Sequence, residues 1–128
     1  MRVLLDTQVF LWWNEDNLLL SRKAHRVMAD PANTLVLSVA SAWEIAIKVQ
    51  LGKLRIPGDA ATYVENRAAR DRIEILPIQL RHAVAVESLP LHHRDPFDRM
   101  LVVQSQIEKL PILTADPAIR NYAVDSIW

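Results

Sequence analysis

The sequence predicts an α/β fold in three layers, a mostly parallel central sheet with helices on both faces. Three observations carry this. Branched apolar runs near residues 2–5, 34–38, 73–75 and 112–113 have the length of buried strands. Segments with helical apolar spacing separate them, which is the alternation of a parallel sheet joined by crossover helices. The chain has 128 residues, 51% of them hydrophobic and only 2 of them Gly, enough for one domain over 1–128 with a substantial core.

Val3, Leu4 and Leu5 form the first strand, and Asp6 stands where it stops. Thr7 is the expected N-cap of a helix carrying Val9, Phe10, Trp12 and Trp13. Residues 14–20 read as a loop in which Leu18-Leu19-Leu20 is hard to bury, so it is a candidate lining for a partner groove. Ser21 caps a helix over about 21–29 with Ala24, Val27 and Met28 inward, and Asp30-Pro31-Ala32-Asn33 turns the chain into the second strand. Ser41-Ala42-Trp43-Glu44 opens a third helix, with Ala42, Ile45, Ala46 and Val49 as its apolar stripe and Gly52 as its stop. After a connector, an alanine-rich helix covers about 59–70 and a short strand follows at 73–75. Pro77 precedes a helix over about 79–87, with Ala83, Val84 and Val86 expected inside. The run Leu91 to Arg99 launches a helix over about 96–109, packed through Phe97, Met100, Leu101, Val103 and Ile107 and broken by Pro111. Ile112 and Leu113 make a brief strand ending at Thr114-Ala115-Asp116-Pro117, before a helical turn near 118–121 and a small strand around Val124.

Composition removes several function classes. There is no Cys, so a disulfide scaffold, a zinc–thiolate site and a thiol nucleophile are excluded, and a reducing cytosol fits. No apolar run approaches the roughly 20 residues of a membrane span. No small-residue cleavage site follows the N-terminal segment, so no signal peptide is expected. Lys plus Arg balance Asp plus Glu at 15 each, which argues against generic coating of nucleic acid. Arg dominates the basic set, and its planar fork suits phosphate contacts, although a genomic bias toward Arg is the favoured explanation of the skew.

Four acids, Asp6, Glu44, Asp98 and Asp116, are the candidate site. Each also has a structural explanation. Ser41-x-x-Glu44 fits a capping box. Asp95-Pro96-x-Asp98 fits an N-cap, a Pro at N1 and an acid in the first turn, and Asp116-Pro117 repeats the pattern. Asp6 precedes a helix, where negative charge is favourable. Taken together they say more. If the strands are parallel, their carboxyl ends share one edge, and helix starts there gather the acids. Clustered, partly desolvated carboxylates tolerate one another only when some are protonated or a cation sits among them. Mg²⁺ or Mn²⁺, one ion or two, suits such a site. A metal of this kind activates water and neutralises charge on a phosphoryl oxygen.

The motifs Leu5-Asp6-Thr7, Ser41-Ala-Trp-Glu44-Ile-Ala-Ile-Lys48, His93-Arg-Asp95-Pro-Phe-Asp98-Arg-Met-Leu101 and Leu113-Thr114-Ala-Asp116 appear in this order over nearly the whole chain. In this the chain resembles PIN-domain proteins, in particular the toxin ribonucleases of VapBC-type toxin–antitoxin pairs. The resemblance implies a PIN-like fold and a Mg²⁺- or Mn²⁺-dependent endoribonuclease. It also implies a homodimer held silent by a cognate antitoxin. Residue by residue, Asp6, Glu44, Asp98 and Asp116 fall on the family's acidic site, with Asp6 and Asp98 the firmest metal ligands. No position departs in a way that suggests a dead enzyme.

The neighbouring residues carry weaker expectations. Lys48, one turn after Glu44, is expected in a solvent-facing ion pair with it in preference to a phosphate contact. Arg94 and Arg99 have equal claims as phosphate grips and as salt-bridge partners. Asp95 reads as a cap first and an accessory acid second. His92 and His93 lack metal-binding spacing and read as loop residues near the cleft, and His25 and His82 as surface positions. Trp12, Trp13 and Trp43 read as core, with base stacking the lesser alternative. Two rival functions stand beside the nuclease. A phosphotransfer domain of haloacid-dehalogenase or receiver type lacks its residues: where the phosphatase motif needs a second Asp, this chain has Gln8. A non-catalytic PIN-like scaffold or RNA-binding module would have no use for the full acidic set.

Overall fold

A computed structural model describes residues 1–128. Its strands are β1 (Arg2–Leu5), β2 (Thr34–Ser38), β3 (Glu74–Leu76), β4 (Ile112–Leu113) and β5 (Ser126–Ile127). They form one sheet in the order β3-β2-β1-β4-β5, and every pairing is parallel. The helices are α1 (Thr7–Asn14), α2 (Arg22–Ala29), α3 (Val39–Gln50), α4 (Ala60–Arg70), α5 (Leu80–Ala85), α6 (Pro96–Glu108) and α7 (Pro117–Arg120).

β1 is central, and its alternation divides the molecule into layers. Val3 and Leu5 pack with Phe10, Leu37, Ile45 and Tyr63 on one face. Leu4 packs with Val36, Leu101, Val102 and Ile119 on the other. Because both faces are covered, the strand reads as an unbroken apolar run. The chain crosses from β1 to β2 on one side and reaches β4 on the other. A crevice therefore opens at the carboxyl ends of β1 and β4, where the strand order reverses.

The expected α/β architecture is present, with local differences. Asp6, not Thr7, is the N-cap of α1, and Thr7 instead donates from Oγ1 to Ser41 Oγ at 2.8 Å. α3 begins two residues earlier than expected, because Ser38 is its N-cap and accepts from the Ala40 amide. Ser41 is then committed to Thr7, and Glu44 lies beyond the first turn, so no capping box forms there. The last strand lies at Ser126–Ile127 instead of around Val124.

Around α5 the expected orientation holds for Val86, half-buried against the core, and is wrong for Ala83 and Val84. His82 is fully buried, whereas Val84 is 60% exposed and Ala83 faces outward. A buried imidazole needs partners for both nitrogens. The Gln79 amide donates to His82 Nδ1 at 3.0 Å, leaving Nε2 to donate to Glu108 Oε1 at 2.8 Å. Gln104 continues the network, donating to the Pro77 carbonyl and accepting from Ser38 Oγ. Six residues of α5 were too few for apolar period alone to fix which side faces in.

Arg99 also departs from expectation. It is buried, pairs with no carboxylate and binds no surface group. Nη1 donates to the Pro90 carbonyl at 2.9 Å and to the Tyr122 hydroxyl at 3.1 Å, and more weakly to the His93 carbonyl. Nη2 donates to the Val86 and Leu89 carbonyls. One guanidinium thus ties residues 86–93 to α6 through backbone acceptors, of which only the Val86 carbonyl has another backbone donor, the Leu89 amide. Arg99→Leu removes these donors and leaves several carbonyls unpaired, so it should lower unfolding free energy by about 2–4 kcal/mol. Urea denaturation checks this, and a change under about 0.5 kcal/mol, typical of a surface position, would contradict the assignment.

Candidate metal centre

The acids are delivered by four separate elements. Asp6 ends β1 and is only 7% exposed. Its backbone amide pins it to β4, donating to the Leu113 carbonyl at 3.0 Å, and its Oδ2 accepts from Thr114 Oγ1 at 2.7 Å. Asp116 follows β4 and caps α7, accepting from the Ala118 amide through Oδ1, while its own amide donates to Thr114 Oγ1. Thr114 is therefore a bridge between two of the acids. The sequence marked it only as part of the motif Leu113-Thr114-Ala-Asp116, without a role of its own.

Glu44 comes from α3 and is 5% exposed. Lys48 Nζ meets its Oε2 at 2.6 Å, the expected i, i+4 pair, although only the lysine is solvent-facing. Asp98 lies in the first turn of α6, and Asp95 caps that helix by accepting from the amides of Phe97 and Asp98. The capping explanations thus hold for Asp95 and Asp116; Asp6 stands at the N-cap of α1, where its charge is favourable, without a side-chain cap bond, and the capping box expected of Glu44 is absent.

Asp6, Glu44, Asp95, Asp98 and Asp116 all line one cavity of about 250 Å³, with Thr7, Gln8, Leu11 and Lys48. Its electrostatics follow from this crowding. Burial, then the charges of Asp95 and Asp6, pushes the Asp98 carboxyl up to about 7, against a hydrogen bond from His93 that lowers it. Burial also raises Asp6, with Asp116 and Glu44 adding to the effect and the Thr114 hydroxyl opposing it. Lys48 is held protonated by its bond to Glu44 and by the fields of Asp95 and Asp98. Two carboxyls kept from ionising at their ordinary pH mark a site with more negative charge than the protein alone neutralises.

One atom tests whether a cation fits. Glu44 Oε1 is buried and has no hydrogen-bond partner. An orphaned carboxylate oxygen is costly unless something positive or hydrogen-bonding reaches it. Its donor type is right for a hard divalent ion. His93 approaches the other side of the cleft, its Nε2 at 2.8 Å from Asp98 Oδ2 and 3.8 Å from Asp116 Oδ2.

Of the remaining candidates, Arg94 is exposed and Arg99 is buried away from the cleft's lining. Trp43 is not core. It is 58% exposed and meets Phe97 edge to face at 5.2 Å, because α3 turns this position outward beside α6. Trp12 and Trp13 are half-buried. His25 is exposed, with its ring against Trp13.

Comparison with known proteins bears on the fold and the family. A 57-residue segment is 44% identical to ribonuclease VapC16 of Mycobacterium tuberculosis, spanning 44% of this chain and 39% of that protein. Among solved structures, VapBC2 from Rickettsia felis bound to a promoter DNA fragment matches with a TM-score of 0.66 at 12% identity, covering 99% of this chain and 98% of that one. VapBC-1 from nontypeable Haemophilus influenzae matches with a TM-score of 0.63 at 15% identity, over 99% and 97% of the two chains. FitAcB from Neisseria gonorrhoeae gives 0.60 at 16% identity, over 100% and 97%. These likenesses are likenesses of fold. The sequence profile of the PIN domain matches residues 3–125, nearly the full span from β1 to β5, and the chain therefore belongs to the PIN domain family.

Proposed function

We propose that this protein is a divalent-metal-dependent endoribonuclease, the toxin of a type II toxin–antitoxin pair. The observation that carries the reading is the partnerless Glu44 Oε1 inside a cavity lined by five carboxylates. Asp6, Glu44, Asp98 and Asp116 would hold Mg²⁺ or Mn²⁺, one ion or two. When bound, such a cation supplies neutralisation of charge on the phosphate and activation of the attacking water. The chain's own part is positional. Asp6 is fixed by Thr114 and by β4, and Glu44 by Lys48 and the rigid frame of α3. Asp95 and Asp116 are oriented by the helix amides they cap. Lys48 gives one fixed positive charge beside the acids.

The name of the Mycobacterium relative supports ribonuclease activity, and a toxin–antitoxin complex from Klebsiella pneumoniae of the same fold supports a cognate antitoxin as partner. A homodimer belongs to the same reading. Exposed apolar side chains, Leu18 and Leu19 after α1 and Val39, Trp43, Leu80 and Val84 on α3 and α5, offer surface for such partners to cover. A cytoplasmic location belongs to the same reading, since an RNA substrate and an antitoxin partner would be met there.

Asp6→Asn should abolish RNA cleavage while leaving the metal-free fold as stable or more stable, since it removes one charge from a crowded site. RNA end-mapping together with thermal melting checks this, and a fully active variant would contradict it. A pH series provides an independent test. Asp98 titrates at about 7 in the folded protein and near 3.8 when unfolded, so the fold holds a proton that the unfolded chain has released. Metal-free stability should therefore fall as pH rises between about 4 and 7. Stabilisation by Mn²⁺ should grow across the same window, because the ion binds the deprotonated carboxylates. Melting curves with and without MnCl₂ that run parallel at every pH would exclude the site.

A further inference from the structure

His93, Asp98 and Asp116 bring three potential ligand atoms within 4.8 Å of one another, which invites reading His93 as a metal ligand. The hydrogen bonds argue otherwise. The Arg94 amide donates to His93 Nδ1 at 3.0 Å, so Nδ1 presents its lone pair and Nε2 carries the proton. A ligating Nε2 would need the opposite tautomer, with Nδ1 donating to an acceptor, as metal-binding histidines do. Here Nε2–H points at Asp98 Oδ2 at 2.8 Å.

The backbone of His93 is fixed from both sides. Its amide donates to the Tyr122 hydroxyl at 2.9 Å, and its carbonyl accepts from Arg99, which also donates to that hydroxyl. The ring is thus mounted on the buried Arg99–Tyr122 pair. Asp98 makes no other side-chain hydrogen bond to the protein, so Oδ2 is taken by His93 and Oδ1 stays available. We propose that His93 is a positioning residue, a tautomer-fixed donor that orients the Asp98 carboxylate for a divalent cation without ligating it. This role rests on the metal-dependent reading above, and it assigns a function to Arg99 and Tyr122 as the mount.

The test has two arms. A long-range ¹H–¹⁵N spectrum of the metal-free protein reads the tautomer directly, and Nε2–H is expected. Calorimetric titration with MnCl₂ compares wild type, His93→Ala and His93→Gln. Loss of an outer hydrogen-bond partner typically weakens metal binding about 10–100-fold, so His93→Ala should fall in that range. The Gln side chain can donate a similar bond, so His93→Gln should recover most of the affinity. An Nδ1–H tautomer, an Ala variant that binds like wild type, or a Gln variant as weak as Ala would each overturn the positioning role. Wild-type protein that binds no Mn²⁺ would overturn the metal reading itself, and this role with it.

Discussion

Repulsion among buried and half-buried carboxylates is the constraint on which this molecule turns. Asp6, Glu44, Asp95, Asp98 and Asp116 line one small cavity at the edge of the sheet, and Lys48 is the only cation lining it with them. In water such charges would separate. Here they cannot, because each is anchored to a rigid element whose position is fixed by core packing. β1 is buried on both faces, so Asp6 has no freedom to retreat. The cost appears as raised protonation at Asp98 and Asp6 and as an unpartnered oxygen on Glu44. This concentration of charge in one cleft is the ground for the proposed cation.

The scaffold that tolerates this strain is a parallel sheet whose helices start at its carboxyl edge. The same topology that gathers the acids also supplies helix N-termini to hold them. Asp95 and Asp116 each serve twice, capping a helix and lining the cavity. Behind this front, neutral or fixed donors do the holding: Thr114 on Asp6, His93 on Asp98, and Arg99 with Tyr122 behind His93. Stability and site geometry therefore share residues, most directly in Arg99.

Much of this was legible in the sequence, and the reasons are particular. Val3-Leu4-Leu5 is apolar without a gap because both faces of β1 are covered, and an acid closing such a run is visible from sequence alone. Asp6, Glu44, Asp98 and Asp116 were likewise found as acids behind strands or at helix starts, and the structure brings them to one cavity. What was not legible depends on which way a short helix rolls and on contacts far apart in the chain. His82 inward and Val84 outward is a rotation of one short helix, decided by the pocket of Gln104 and Ser38. Arg99 looked like a surface cation because its acceptors are main-chain carbonyls, which have no sequence signature. Trp43 looked like core because its neighbours on α3 are apolar, yet its own position faces outward. The role of His93 lies in a tautomer, which only the local backbone sets.

The central claim is that this cleft is completed by a divalent cation. The most direct measurement is anomalous diffraction at the manganese edge from crystals grown with MnCl₂. The account predicts a peak inside the cleft among Asp6, Glu44 and Asp98, with the presently partnerless Glu44 Oε1 turned toward it. A Mn²⁺-saturated crystal with no peak in the cleft, or with its peak elsewhere on the surface, would contradict it.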